Sequence, residues 1–171
     1  MGNLREEIER IYEEAFPDEV CRKFSGALTV ELIRKRLKAS GIPVSPRDVF
    51  IHGLPLEIDL IIPRRNSRLV HNILYRSEDI AAVLEIKYRG SFGSDALERT
   101  RANFQRIRQF SSQIQCFYVA VIETKGYKWA VYRKNLGFPA HTLYWWSNKS
   151  KVYTESKDWN KLVLRLASLI M

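Results

Sequence analysis

"IAAVLEIKYRG", Ile80 to Gly90, begins as a strand bound for a core and ends by setting a carboxylate and an ammonium two residues apart. Side chains alternate along extended backbone, so Ala82, Leu84 and Ile86 share one side and Val83, Glu85 and Lys87 the other. Upstream, "LEIDLIIP" reads as a second strand, Leu56 to Ile62, closed by Pro63. Its Leu56, Ile58 and Leu60 face one way, and Glu57, Asp59 and Ile61 the other. A shorter strand, Val49 to His52, precedes it across a tight turn at Gly53-Leu54-Pro55.

Helical spacing frames these strands. Leu4, Ile8, Ile11 and Ala15 recur on one side of a first helix that Pro17 stops. Thr29 is placed to cap a second, with Leu32, Ile33 and Leu37 as its apolar stripe and Gly41 and Pro43 as its stop. After glycines at 90 and 93, a long helix runs from Asp95 to about Ser111 on Leu97, Thr100, Phe104 and Ile107. "QCFYVAVIE" (115–123) is a strand buried on both faces, "YKWAVYR" (127–133) a further strand, and Asp158 caps a C-terminal helix. The polar connection from Pro63 to Asp79 has room for a helical turn at Val70 to Leu74. The order, helix then three strands, helix, two strands and helix, is that of an α/β domain with a mixed central sheet.

At 171 residues the chain predicts one domain, 1–171, able to bury its own core. Nothing in it is apolar for long enough to span a bilayer. The charged start, "MGNLREEIERIYEEAF", lacks the apolar centre of a secretory signal, which predicts a cytoplasmic location with Cys21 and Cys116 as reduced thiols. His52, His71 and His141 are scattered, and none stands at zinc-ligand spacing. Lys and Arg number 28 against 19 Asp and Glu, a formal charge of +9 that favours an anionic partner, nucleic acid first. The positive charge gathers at Arg34 to Lys38, Arg64 to Arg68, Glu98 to Gln109 and around Tyr132.

If the strands of Asp59 and Glu85 are neighbours, two carboxylates converge with Lys87 beyond them. Such a pair repels unless a cation lies between. A hard divalent ion suits it, because Mg²⁺ takes one or two protein carboxylates and completes its octahedron with water and phosphate oxygens. Such a metal, with an amine near the attacking water, is a set of parts that phosphodiester hydrolysis can use.

"EIDLIIP" followed by "VLEIKYR" resembles the PD-(D/E)XK nuclease superfamily, its resolvase-like and restriction-like members in particular. The resemblance implies a restriction-endonuclease-like αβββαβ core over about residues 29–123, with helices added at both ends. It implies a Mg²⁺-dependent endonuclease acting on DNA, with Mn²⁺ as a substitute ion and RNA also open as substrate. Asp59 matches the motif's aspartate, Glu85 its second acid and Lys87 its lysine, with the backbone carbonyl of Ile86 as a further metal ligand. Glu31 matches an additional acid on the core's first helix, and Gln105 a supporting glutamine on the later one. The literal Pro-Asp pair is absent, since Ile58 precedes the aspartate and Pro55 lies further back.

Each assignment has a plainer competitor. Glu and Lys alternating with apolar residues is what any half-exposed strand shows, and an acid near a helix start is ordinary macrodipole chemistry. Arg101, Gln105 and Arg108 fall at i, i+4 and i+7, which makes them either a solvated flank or, with Arg64, Arg65 and Arg68, contacts to backbone phosphates. Glu57 is placed to support Asp59, and His52 is a loop histidine without a visible partner. The aromatics of "LYWWSNK" (143–149) suit core packing more than base stacking. Cutting both strands of a duplex commonly uses two sites, so a homodimer is compatible. Two rival functions are a catalytically idle nucleic-acid-binding module of the same scaffold and an accessory protein-binding domain.

Overall fold

The computed structural model describes residues 3–17, 21–65, 67, 69–89, 95–124 and 137–170. Four α-helices are described, α1 (Leu4–Ala15), α2 (Arg22–Ala39), α3 (Asp95–Phe110) and α4 (Asp158–Ile170), with a short 3-10 helix at Ser77–Asp79. The early strands are β1 (Val49–Ile51), β2 (Leu54–Ile58), β3 (Leu60–Pro63), β4 (Leu69–His71) and β5 (Leu74–Tyr75). The later ones are β6 (Ile80–Arg89), β7 (Gln115–Thr124), β8 (Ala140–Ser147) and β9 (Val152–Glu155). The strand expected at 127–133, the glycine loop, Arg68 and the basic residues around Tyr132 lie outside the described residues.

Two mixed sheets result. The larger has the order β3-β6-β7-β8-β9, antiparallel at both edges and parallel through β6, β7 and β8. The smaller has the order β2-β1-β5-β4, with only β1 and β5 parallel. β6 and β7 are central because both faces of their apolar runs are covered. On one face Leu4, Ile8, Ile33, Leu37, Leu162 and Leu166 bring α1, α2 and α4 onto Leu84 and Phe117. On the other, Leu97, Phe104 and Ile107 of α3 pack with Val83, Ile61 and Ile58, which joins the small sheet to the large one.

Four expectations change in detail. α2 starts at Arg22, seven residues before Thr29; Thr29 is buried in mid-helix, where its Oγ1 donates to the Ser25 carbonyl at 2.6 Å. The single strand expected over Leu56 to Ile62 is two strands in different sheets, split at Asp59. Leu54 belongs to β2, so the turn before it is only His52-Gly53, with Gly53 at φ +84°. Residues 70–74 are not helical; β4 and β5 pair there as a short antiparallel ribbon. "LYWWSNK" falls largely in β8, a core strand whose Leu143 and Tyr144 are buried.

No helix among the described residues is long and apolar enough to cross a membrane. Both cysteines are free thiols; Cys116 is buried, and that burial pushes its thiol up to about 12.

Candidate active site

The bend at Asp59 builds the site. β2 alternates buried and open positions, whereas Leu60, Ile61 and Ile62 of β3 are all buried. A half-covered strand therefore becomes a fully covered one at Asp59, and the chain passes from the small sheet to the large one. β3 pairs antiparallel with β6 through Leu60 and Leu84, so one step outward sets Asp59 beside Glu85. Asp59 Oδ2 accepts a hydrogen bond from the Ile86 N–H at 2.7 Å. Lys87 Nζ lies 2.6 Å from Glu85 Oε1.

Electrostatics show two acids held closer than they prefer. Burial, then the charge of Glu85, raises Asp59 to about 6, against the Ile86 N–H and Lys87, which favour its ionised form. Burial alone would lower the Lys87 ammonium, but the charges of Glu85 and Asp59 and the bond to Glu85 outweigh it, so its pKa is raised. Lys87 is therefore protonated at neutral pH, a donor rather than a base. The donor set fits a hard cation: two carboxylates and the Ile86 carbonyl, which leaves its strand on the same side as the N–H that Asp59 holds.

Asp48 was not legible as part of this arrangement. β1 pairs with β2 through Val49 and Ile58, so the step before Val49 lies opposite Asp59. Its charge adds to the rise of Asp59. Asp48 has left-handed backbone, φ 54°, which Asp tolerates better than most residues. The signal was the short span between Val49 and Asp59, which permits only a tight antiparallel pair.

The other sequence-derived residues are placed differently. Glu31 makes a bidentate pair with Arg34, both contacts 2.7 Å, and that bond chiefly holds its carboxyl below the usual range. The structure does not bring it to the Asp59–Glu85 pair; among the described residues no three acidic, histidine or cysteine side chains gather into a metal cluster. Gln105 is exposed on α3 and makes no bond to the site. Arg108, three residues on, donates to the Gly137 carbonyl at 3.3 Å, which points this edge of α3, Arg101 included, toward β8. Arg99, on the opposite edge, is near enough for its charge to oppose that of Lys87. Arg64 is half-buried and Arg65 exposed beyond β3, whereas Arg68 lies outside the described residues. Glu57 is exposed on β2 opposite Phe50, and His52 is exposed past the far end of β1 from Asp48.

No protein-family profile and no curated protein matches the sequence. Solved structures do resemble the fold. NucC from P. aeruginosa ATCC27853, in a cAAA-bound form, superposes with a TM-score of 0.66 at 12% identity, over 96% of this chain and 88% of that one. NucC from E. coli MS115-1 in its cAAA-bound form also gives 0.66 at 12% identity, over 96% and 87%. The apo form of the E. coli protein gives 0.56 at 12% identity, over 96% and 90%. The relation is one of fold, and the chain has the restriction-endonuclease-like architecture expected from its sequence.

Proposed function

We propose that the chain is a metal-dependent nuclease that hydrolyses phosphodiester bonds in DNA. The observation that carries the proposal is the Asp59–Glu85 pair, brought together across β3 and β6 with the Ile86 amide on one acid and the Lys87 ammonium on the other. Asp59, Glu85 and the Ile86 carbonyl would hold Mg²⁺, or Mn²⁺ in its place. The ion supplies charge neutralisation at the phosphate and makes water more acidic when bound.

The chain's own groups have distinct tasks. The Ile86 N–H fixes the rotamer of Asp59 so that its second oxygen is left for the cation. Glu85 holds Lys87 in place at the end of β6. Protonated Lys87 orients water or a phosphate oxygen by hydrogen bonding, and its charge favours the oxyanion that builds up there. Arg64 and Arg65 follow the end of β3 away from Asp59, beside Asp79 just before β6, so any contact they make to backbone phosphates would be remote from the acids and would position a substrate without reading its sequence.

The direct test is cleavage of supercoiled, linear and branched DNA in Mg²⁺ or Mn²⁺. Lys87→Ala should lower the rate at least about a hundredfold while leaving DNA binding in place. Cleavage by that variant at the unaltered rate would remove the mechanism. Binding without cleavage by the unaltered chain would leave only a nucleic-acid-binding module.

A further inference from the structure

The two long edges of α3 are chemically unlike. Arg101, Gln105 and Arg108 lie on the edge turned to β8. Arg99, Arg106 and Phe110, at i, i+7 and i+11, lie on the edge that begins near Lys87. That second edge ends against the β1–β2 turn, where a Cβ on Gly53 would stand 3.2 Å from Phe110 Cζ. Phe110 is nonetheless 44% exposed. Its ring borders a cavity of about 380 Å³ lined by His52, Val70, Arg76, Ser77 and Glu78.

Two rulers give the distance from this cavity to the acids. Along β2, Gly53 to Asp59 is six residues, about 20 Å of strand. Along α3, Arg99 to Phe110 is eleven residues, about 17 Å of helix. At duplex rise this corresponds to about five or six nucleotides.

The chemistry along the track is of one kind. Arg99, Arg106 and Arg76 are exposed, and none makes an ion pair among the described residues. The one carboxylate in the cavity, Glu78, accepts from the Ser77 hydroxyl. An exposed phenyl ring beside arginine and histidine, in a cavity the size of small-ligand sites, suits an unpaired base with its phosphate.

We propose that the Arg99–Arg106–Phe110 edge of α3 and the cavity at His52 and Arg76 hold a nucleic-acid strand leading out from the Asp59–Glu85 site, with an unpaired base on Phe110 about six nucleotides from the bond that is cut. This rests on the nuclease reading of that site. The strand crosses from catalytic end to cavity along guanidinium groups, and the aromatic end point makes the contact dependent on length. Duplex DNA without a frayed or flipped base reaches the arginines but not the ring.

The test uses the full chain carrying Lys87→Ala, with single-stranded oligonucleotides of four and twelve nucleotides followed by fluorescence anisotropy. Only the longer strand spans both ends. Phe110→Ala and Arg76→Ala should each weaken the twelve-mer about tenfold and reduce its advantage over the four-mer. Lys149→Ala, which removes an exposed charge elsewhere, should leave both unchanged. Arg76→Ala should also lower the salt dependence by about one counterion. Because Arg76 is exposed, its variant reads the contact even if Phe110→Ala loosens α3. Unchanged twelve-mer affinity in both variants, as expected if the apolar rim serves a protein partner, overturns the proposal, and so does an equal loss from Lys149→Ala. Cleavage by the chain with Lys87 intact is scored separately, so absence of cutting defeats the parent reading while absence of length dependence defeats this one.

Discussion

Asp59→Asn should make the protein more stable while removing the site. Asp59 is raised from the ordinary carboxylate value of 3.8 to about 6, chiefly by burial and then by Glu85. Between those two pH values the folded chain holds a proton that the unfolded chain has released, so stability falls as pH rises through the window. At about 1.4 kcal/mol for each pH unit of that window, the upper bound on the cost of ionising this carboxyl in the native state above pH 6 is near 3 kcal/mol. Because Asp59 and Glu85 interact, that cost belongs to the pair. Asparagine keeps an oxygen to accept from the Ile86 N–H and carries no charge.

The assay is urea unfolding of both proteins at pH 4 and pH 7.5, without divalent ions and then with Mg²⁺. At pH 7.5 the variant should be the more stable by about 1–3 kcal/mol, or about 2–12 °C in Tm for a chain of this size. At pH 4 the gap should close, since the native acid is then protonated. Mg²⁺ should stabilise the unaltered chain, by about 2.7 kcal/mol at a hundred times its dissociation constant, and leave the variant where it was. A variant less stable at pH 7.5, or a gap that ignores pH, would refute the reasoning that two acids are held here against their repulsion.

Two further outcomes follow from the same geometry. Asp48→Asn removes a charge that raises Asp59, so the acid-side midpoint of the stability profile should move to lower pH, as read by the same unfolding series. Phe117, on β7 and fully buried under the helices, should cost about 3–5 kcal/mol as Phe117→Ala by the same urea measurement, and a loss under 1 kcal/mol would show that this face of the sheet is not the core.

The large sheet was legible because its evidence is local. Ile80 to Leu84 and Cys116 to Ile122 are apolar runs that only a central, doubly covered strand can use, and both are central. The Glu85–Lys87 pair was legible for the same reason: it needs only period two and the end of a strand. What escaped turned on which neighbour one helical turn away claims a side chain. Thr29 has the side chain of a helix cap, yet it lies inside the helix, where its hydroxyl bonds back to the Ser25 carbonyl one turn earlier. Glu31 has the charge of a metal ligand, but Arg34 is three residues away on the same helix face and claims both oxygens.

The break at Asp59 was written in the chain as a change of pattern. Alternation through Leu56, Glu57 and Ile58 gives way to the unbroken Leu60, Ile61 and Ile62, and a strand covered on one face cannot continue in register into one covered on two. Extending the alternation across that boundary merged two sheets into one and hid Asp48. The side of α3 that faces the acids followed from the same geometry. Apolar spacing fixes which stripe is buried, but it treats the two flanks alike, and only the small sheet packed against Phe110 distinguishes the flank of Arg99 from that of Arg108. The bend at a single aspartate thus sets both the convergence of charge and the direction in which a bound strand can leave it.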